Sequence, residues 1–265
     1  MSAPRDRRMS WPKRRRGVIA IAVVLLAGLA LVAITARADP NVLWNIVHGQ
    51  CVPDQQQHGN PSPCARVDLS AGEAAGFAVL KDIKGATQFL LIPTRRIDGI
   101  ESGVLLAPDA PNYFAAAWQG SDLVAAKLSH SPPRDVLSLA VNSNLSRSQN
   151  QLHIHIDCLR ADVHDALARA APLVGPHWTL LPMPLAGHRY RAMRVDGETL
   201  GDNDPFKLLA RGAPGAATDM GHHTLVVVGM RFDGAPGFLI LDDQAGLTDL
   251  AHGEDLQDHD CALGR

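Results

Sequence analysis

The chain has 265 residues, of which 46% are hydrophobic and 20% charged, so it carries enough apolar surface for a sizeable core and is no disordered polymer. Its formal charge of -2 hides an asymmetry: Arg5, Arg7, Arg8, Lys13, Arg14, Arg15 and Arg16 crowd the beginning and leave the remainder acidic. That remainder lacks the basic surplus of a nucleic-acid binder, and no nucleic-acid partner is expected.

Residues 1–16 thus read as a basic segment. Residues 17–36 hold no charge, with Thr35 as the sole polar side chain. At about 1.5 Å per residue such a helix crosses a hydrocarbon layer of about 30 Å. The sequence predicts an N-terminal transmembrane helix, with the basic flank cytoplasmic and everything beyond Arg37 on the far side of the membrane. Ala36-Arg37-Ala38 looks like a signal-peptide cleavage site. The apolar run, however, exceeds the roughly 7 to 15 residues of a signal core, which favours an uncleaved single-pass anchor.

Beyond the anchor, residues 41–47 suit a short helix, and 51–66 an irregular loop in which Pro53, Pro61 and Pro63 interrupt regular structure. Residues 77–80 and 88–92 read as strands of a hairpin around Lys84-Gly85. Pro111 opens a helix over 112–129, where Phe114, Ala117, Trp118, Leu123, Val124 and Leu128 recur at helical spacing despite Gly120. A strand at 136–141, a polar loop at 142–150 and a strand at 151–158 follow, the two strands pairing antiparallel. A helix over 161–171 ends at Pro172 and Pro176. Pro182, Pro184 and Gly187 mark a linker-like stretch before a strand at 189–195, a short helix at 206–210, and strands at 224–232 and 238–241 joined through Asp233-Gly234. Strands and helices mix without regular βαβ alternation, so the expected fold is α+β on an antiparallel sheet. The expected domain is 40–265, with a core at 77–171 and a smaller C-terminal part at 188–265.

The strand at 151–158 carries the chemistry. Side chains alternate along a strand, so Gln151, His153, His155 and Asp157 share one face while Leu152, Ile154, Ile156 and Cys158 point the other way. Exposed strand faces favour Thr, Lys or Glu, so neighbouring imidazoles with an apolar backing point to a site. Four cysteines allow three pairings; in an oxidising compartment Cys51 is expected with Cys64, and Cys158 with Cys261. A zinc site of Cys158 with both histidines is the rival, opposed by strand parity. A divalent ion on His153, His155 and Asp157 is a further alternative.

The order hairpin, helix, strand, polar loop and histidine strand resembles the histidine-triad superfamily of nucleotidyl hydrolases and transferases, with Phe89-Leu90-Leu91-Ile92-Pro93 similar to its strand ending in Ile-Pro and Leu139-Ala140-Val141-Asn142 to the strand entering its phosphate loop. A closer resemblance is to the CDP-diacylglycerol pyrophosphatase family. It is carried by Cys51 to Gln57, Asn60-Pro61-Ser62-Pro63-Cys64-Ala65, Val79-Leu80-Lys81-Asp82, Pro93-Thr94 with Arg96-Ile97, Pro111-Asn112, Ala117-Trp118-Gln119, Gln149-Asn150, His153-Ile154-His155-Ile156 and the late Asp258-His259 with Cys261.

That resemblance implies a histidine-triad-like domain that hydrolyses CDP-diacylglycerol to CMP and phosphatidate at a bacterial inner membrane, with the catalytic part periplasmic and no cofactor or metal. It places the nucleophile at His153 and a second catalytic histidine at His155. Gln151 occupies the first position of the His-x-His-x-His pattern, and Thr94-Arg95-Arg96 stands where a histidine or lysine is common after the Ile-Pro strand. A neutral imidazole attacks an anionic pyrophosphate without adding charge, provided its other nitrogen donates to a partner that fixes the tautomer. Asn142, Gln149 and Gln151 are candidate donors to the substrate's phosphates, and Arg147 a candidate positive charge. Trp44, Trp118 and Phe114 are candidates for meeting lipid. Two other readings compete: a metal-dependent pyrophosphatase or phosphodiesterase on the same strand, and a non-catalytic exported protein that binds a nucleotide lipid.

Overall fold

Short aliphatic runs flanked by turns become strands of one sheet. In the computed structural model, which describes residues 39–247 and 249–265, these are β1 (Arg66–Asp68), β2 (Phe77–Lys81), β3 (Phe89–Pro93), β4 (Leu137–Val141), β5 (Ile154–Leu159), β6 (Thr179–Leu180), β7 (Arg191–Asp196), β8 (His223–Phe232), β9 (Ala235–Gln244) and β10 (Gln257–Asp258). The order across the sheet is β1-β2-β3-β5-β4-β8-β9-β7-β6, every pair antiparallel, and β10 pairs with β5. The fold is therefore α+β on a large antiparallel sheet. Strands drawn from 188–265 continue the sheet begun by 77–171, and residues 40–265 form one compact unit. The basic segment 1–16 and the predicted anchor 17–36 lie outside the described residues; among those described, no helix is long and apolar enough to cross a membrane.

The helices are α1 (Val42–Ile46), α2 (Val52–His58), α3 (Tyr113–Gln119), α4 (Ser121–Ala125), α5 (Ala161–Ala170), α6 (Pro205–Gly212) and α7 (Ala216–Asp219). A π-helical turn, Val47–Cys51, joins α1 to α2. The expected loop at 51–66 is thus half wrong: Pro53 falls in the first turn of α2, directly after the π-helical turn, and the chain turns irregular only after Gly59. The expected helix at 112–129 is two. It breaks at Gly120, which packs so closely on β5 that a Cβ there would lie 3.0 Å from Ile156 Cδ1.

The two sides of the sheet are covered differently. On one, Val79, Leu91, Leu139, Ile154, Ile156, Leu225, Val227 and Ile240 join a single core under α3, α4 and α6. On the other, α5 packs Val163, Leu167 and Ala170 on Val226, Val228 and Leu239, while α1, the π-helical turn and α2 pack Leu43, Val47 and Val52 on Ala78, Leu90 and Ile92. These two cores do not merge, and β5 runs between them. Disulfides Cys51–Cys64 and Cys158–Cys261 close as expected: the first staples the α1–α2 layer and the second ties the C-terminal tail to β5.

Candidate functional site

Strand parity places the site. Leu152, Ile154, Ile156 and Cys158 belong to the continuous core, so His153, His155 and Asp157 emerge in the gap on the opposite side. There a cavity of about 300 Å³ is lined by both imidazoles with Asn142, Ser146, Gln149, His252 and Glu254, and on its apolar flank by Leu43, Ile46, Leu80 and Leu90. The two rings sit 4.9 Å apart, edge toward face.

The backbone orients His153. Its Nδ1 lies 2.8 Å from the Gln151 carbonyl oxygen, and a carbonyl only accepts, so Nδ1 carries the hydrogen and Nε2 keeps its lone pair. Burial pushes the His153 pKa down, against a smaller upward pull from that carbonyl, which favours the neutral ring. Burial pushes His155 down to about 3, and neighbouring His153 adds to this. Neither His155 nitrogen has a hydrogen-bond partner, and Nδ1 stands 3.6 Å from Glu254 Oε1.

Behind the imidazoles lies a charged chain delivered by the C-terminal tail. Pairing of β10 with β5 sets Asp258 opposite Cys158, beyond the point where β3 ends. The His259 carbonyl then accepts from the Ala86 and Thr87 amides, which fixes its ring between two carboxylates. Nδ1 is 2.9 Å from Asp157 Oδ2 and Nε2 3.4 Å from Glu254 Oε1. The hydrogen bonds to Asp157 and Glu254 raise the His259 pKa to about 9. Burial alone would raise Glu254; His259, His155, Lys84 and the Gln88 amide together hold it well below the usual carboxylate range. Glu254 also exchanges hydrogen bonds with Asn142, whose Nδ2 is 3.3 Å from Oε2 and whose Oδ1 accepts from the Glu254 amide at 3.1 Å. A cationic imidazole bridging two buried carboxylates meets the requirement that buried charge be paired.

The other expected site residues divide. Asn142 and Gln149 line the cavity, with Gln149 Oε1 accepting from the Leu43 amide at 3.2 Å. Gln151 does not face the cavity with its amide: Nε2 donates to the Pro93 and Arg95 carbonyls, each at 3.0 Å, and Oε1 accepts from the Ile97 amide. It organises the turn after β3 and, through its own carbonyl, His153. Arg147 is held by both oxygens of Glu101 at 2.5 Å. Asp157 takes hydrogen bonds from Thr87, the Cys158 amide and His259, so it is not aimed at an ion shared with His153 and His155. Cys158 is in a disulfide, which removes it as a zinc ligand. Phe114 and Trp118 pack on the far side of the sheet against Phe206 and Phe238. His252, Glu254 and His259 received no role from the sequence; the Asp258-His259 pair beside Cys261 was the available signal, once Cys261 is joined to β5.

A buried His-x-His strand facing an apolar-flanked cavity suits a phosphate ester with a greasy end, and the comparison with known families agrees. A family model described as CDP-diacylglycerol pyrophosphatase matches residues 38–265. The chain belongs to that family. It is accordingly a hydrolase of the phosphoric-anhydride type, and the substrate the family implies is the nucleotide lipid CDP-diacylglycerol. Among solved structures, a DUF4931 family protein from Bacillus cereus ATCC 10987 is similar at 11% identity and a TM-score of 0.40, over 69% of this chain and 88% of that one.

Proposed function

We propose that the chain hydrolyses CDP-diacylglycerol to CMP and phosphatidate through a cytidylyl-histidine intermediate, on the periplasmic side of a bacterial inner membrane. The observation that carries this reading is the His153 tautomer: with Nδ1–H held by the Gln151 carbonyl, Nε2 is a bare nucleophile beside the cavity. In the first step Nε2 bonds to the cytidylyl phosphorus, and the bridging P–O bond breaks with its electrons leaving on phosphatidate. In the second, water attacks the same phosphorus and the P–N electrons return to the ring. His155 donates a ring N–H to the bridging oxygen in the first step and takes the proton of water in the second. Burial keeps it neutral without substrate, and a polyanionic pyrophosphate beside it supplies the field that favours its protonation.

Beside the histidines, Asn142 and Gln149 offer polar contacts for phosphate oxygens, while Leu43, Ile46, Leu80 and Leu90, with Val42 and the fully exposed Ile83 at the rim, suit the diglyceride end. The Ile-Pro strand β3 beside the His-x-His strand β5 supports a histidine-triad-like arrangement with Gln151 in the first place. The membrane address rests on the apolar run 17–36 with its basic flank and on two disulfides, which persist in oxidising compartments. A tether beside the bilayer raises the effective concentration of enzyme over a lipid that never leaves it.

Hydrolysis in ¹⁸O-labelled water tests the site of attack. The label is expected in CMP alone; label in phosphatidate would place the attack on the other phosphorus and overturn this reading.

A further inference from the structure

Away from the catalytic cavity, three side chains from separate segments converge with a donor set that hydrogen bonding within the protein leaves incomplete. His188 sits in a tight turn after Gly187, whose φ of +92° places it in the region that glycine tolerates, with Leu185 and His188 bridging across it. Asp243 lies near the end of β9, and Asp249 follows the same strand. His188 Nδ1 is 2.6 Å from Asp249 Oδ2 and 3.9 Å from Asp243 Oδ2, and each residue offers one ligand atom within 4.8 Å of those of the other two.

The defect is at Asp243. This residue is 5% exposed, and its Oδ1 accepts from the Gln244 amide, but its Oδ2 is buried without a hydrogen-bond partner. The nearest strand cation does not remedy it, because Arg191 turns to Asp242 at 3.1 Å. Two carboxylates thus converge on one imidazole, and Asp243 Oδ2 meets only that ring, at 3.9 Å, and the Asp249 carboxylate, with which it must share a proton or a cation. Leaving such an oxygen bare is costly, and a cation removes the cost and the repulsion together.

We propose that His188, Asp243 and Asp249 bind one divalent cation of the class that accepts imidazole with carboxylates, zinc in the first place and manganese in the second. Three oxygens alone would suit calcium or magnesium; the imidazole shifts the choice. On binding, Nδ1 exchanges its hydrogen bond to Asp249 for a metal bond, and the three atoms draw in to about 2.0–2.2 Å from the ion. Two clefts share His188 and Asp249, so the ion has an entry path and room for water ligands.

The site's work is mechanical. Asp249 Oδ1 also holds the Ala251 amide at 2.8 Å, and the Ala251 carbonyl accepts from the Ser143 amide and the Ser146 hydroxyl, both at 3.2 Å. The next residues along that segment, His252 and Glu254, line the catalytic cavity. A cation on Asp249 therefore fastens the segment that presents Glu254.

The purified full chain in detergent, stripped with chelator and gel-filtered after exposure to zinc chloride, tests this by metal content and thermal unfolding. Wild type is expected to keep one equivalent of zinc and to gain several degrees in Tm. Asp243→Asn, which keeps volume and removes the charge, is expected to remain folded without metal, to lose the zinc and to gain nothing in Tm. His188→Ala, at a partly exposed turn, gives the same comparison should Asp243→Asn fold poorly. Zinc kept equally by wild type and both variants would place the metal elsewhere and overturn the proposal, as would a wild type that keeps none. Retention of calcium or magnesium in preference to zinc or manganese would overturn the assigned class.

Discussion

The two faces of the segment 152–158, which leads into β5, are built from alternate residues, yet they answer to different constraints. Leu152, Ile154, Ile156 and Cys158 enter a core that runs unbroken beneath α3, α4 and α6; His153, His155 and Asp157 enter a gap where two smaller cores stop short of each other. The unbroken side needs only volume and shape, so it is held by many replaceable contacts. The gapped side buries polar groups, and each must find a partner: the Gln151 carbonyl for His153, His259 for Asp157, Asn142 and Gln88 for Glu254. His155 alone keeps both nitrogens unpartnered, as expected of a group held for substrate. The candidate site sits where the packing is left open.

Substitutions on the two sides should therefore fail in different ways. The largest effect belongs to His153→Ala, expected to lower kcat by at least about 10³-fold with Tm nearly unchanged. A folded variant with near wild-type turnover would break the comparison at its centre. On the other side, Ile156→Ala removes a fully buried side chain and should cost about 2–5 kcal/mol in denaturant unfolding while leaving kcat per folded molecule unchanged. A kcat that collapsed with full stability would show that the two sides are not separable.

His259→Asn comes next. It leaves Asp157 and Glu254 buried without their shared cation, with an expected loss of about 1–3 kcal/mol and a roughly tenfold lower kcat. The pH dependence sharpens this. Since the folded pKa of His259 is raised to about 9 from an ordinary 6.5, its stabilisation is complete below about pH 6.5 and is lost as pH rises through about 9. Wild-type Tm should decline over that window, and the decline should flatten in His259→Asn; equal slopes would remove the charged bridge from the account. The smallest effect is expected for Gln151→Ala. It orphans the Pro93 and Arg95 carbonyls at about 1–2 kcal/mol and reduces turnover only several-fold, since the carbonyl that holds His153 remains.

How much of this was legible in the sequence follows the same division. The alternation from Ile154 to Cys158 needs only the period of a strand, so both sides of β5, the β2–β3 hairpin and the antiparallel β4–β5 pair could be read directly. The strand expected from Gln151 starts only at Ile154, because Gln151 turns its side chain to the backbone after β3 and His153 lies just before the strand. The helix at 112–129 lost its middle to Gly120, whose reason is contact with Ile156 on a distant strand. The helical stretch at 51–58 was hidden by Pro53, because a local rule against proline does not see where a helical turn begins. Glu254 and the role of His259 stayed hidden for a different cause. They reach the site from a tail whose strand, β10, is two residues long, too short for any periodicity, and whose place is set by Cys261 and the backbone of Ala86 and Thr87. Gly85 shows how closely that tail fits: a Cβ there would lie 2.3 Å from His259 Cβ.

The most direct test of the account is rapid acid-free quenching of the working enzyme on CDP-diacylglycerol, followed by peptide mass analysis under alkaline conditions. The account predicts a transient cytidylyl group on the peptide containing His153, absent from His153→Ala. Turnover at wild-type rate with no nucleotide ever joined to that ring, or with the nucleotide on another residue, would contradict it.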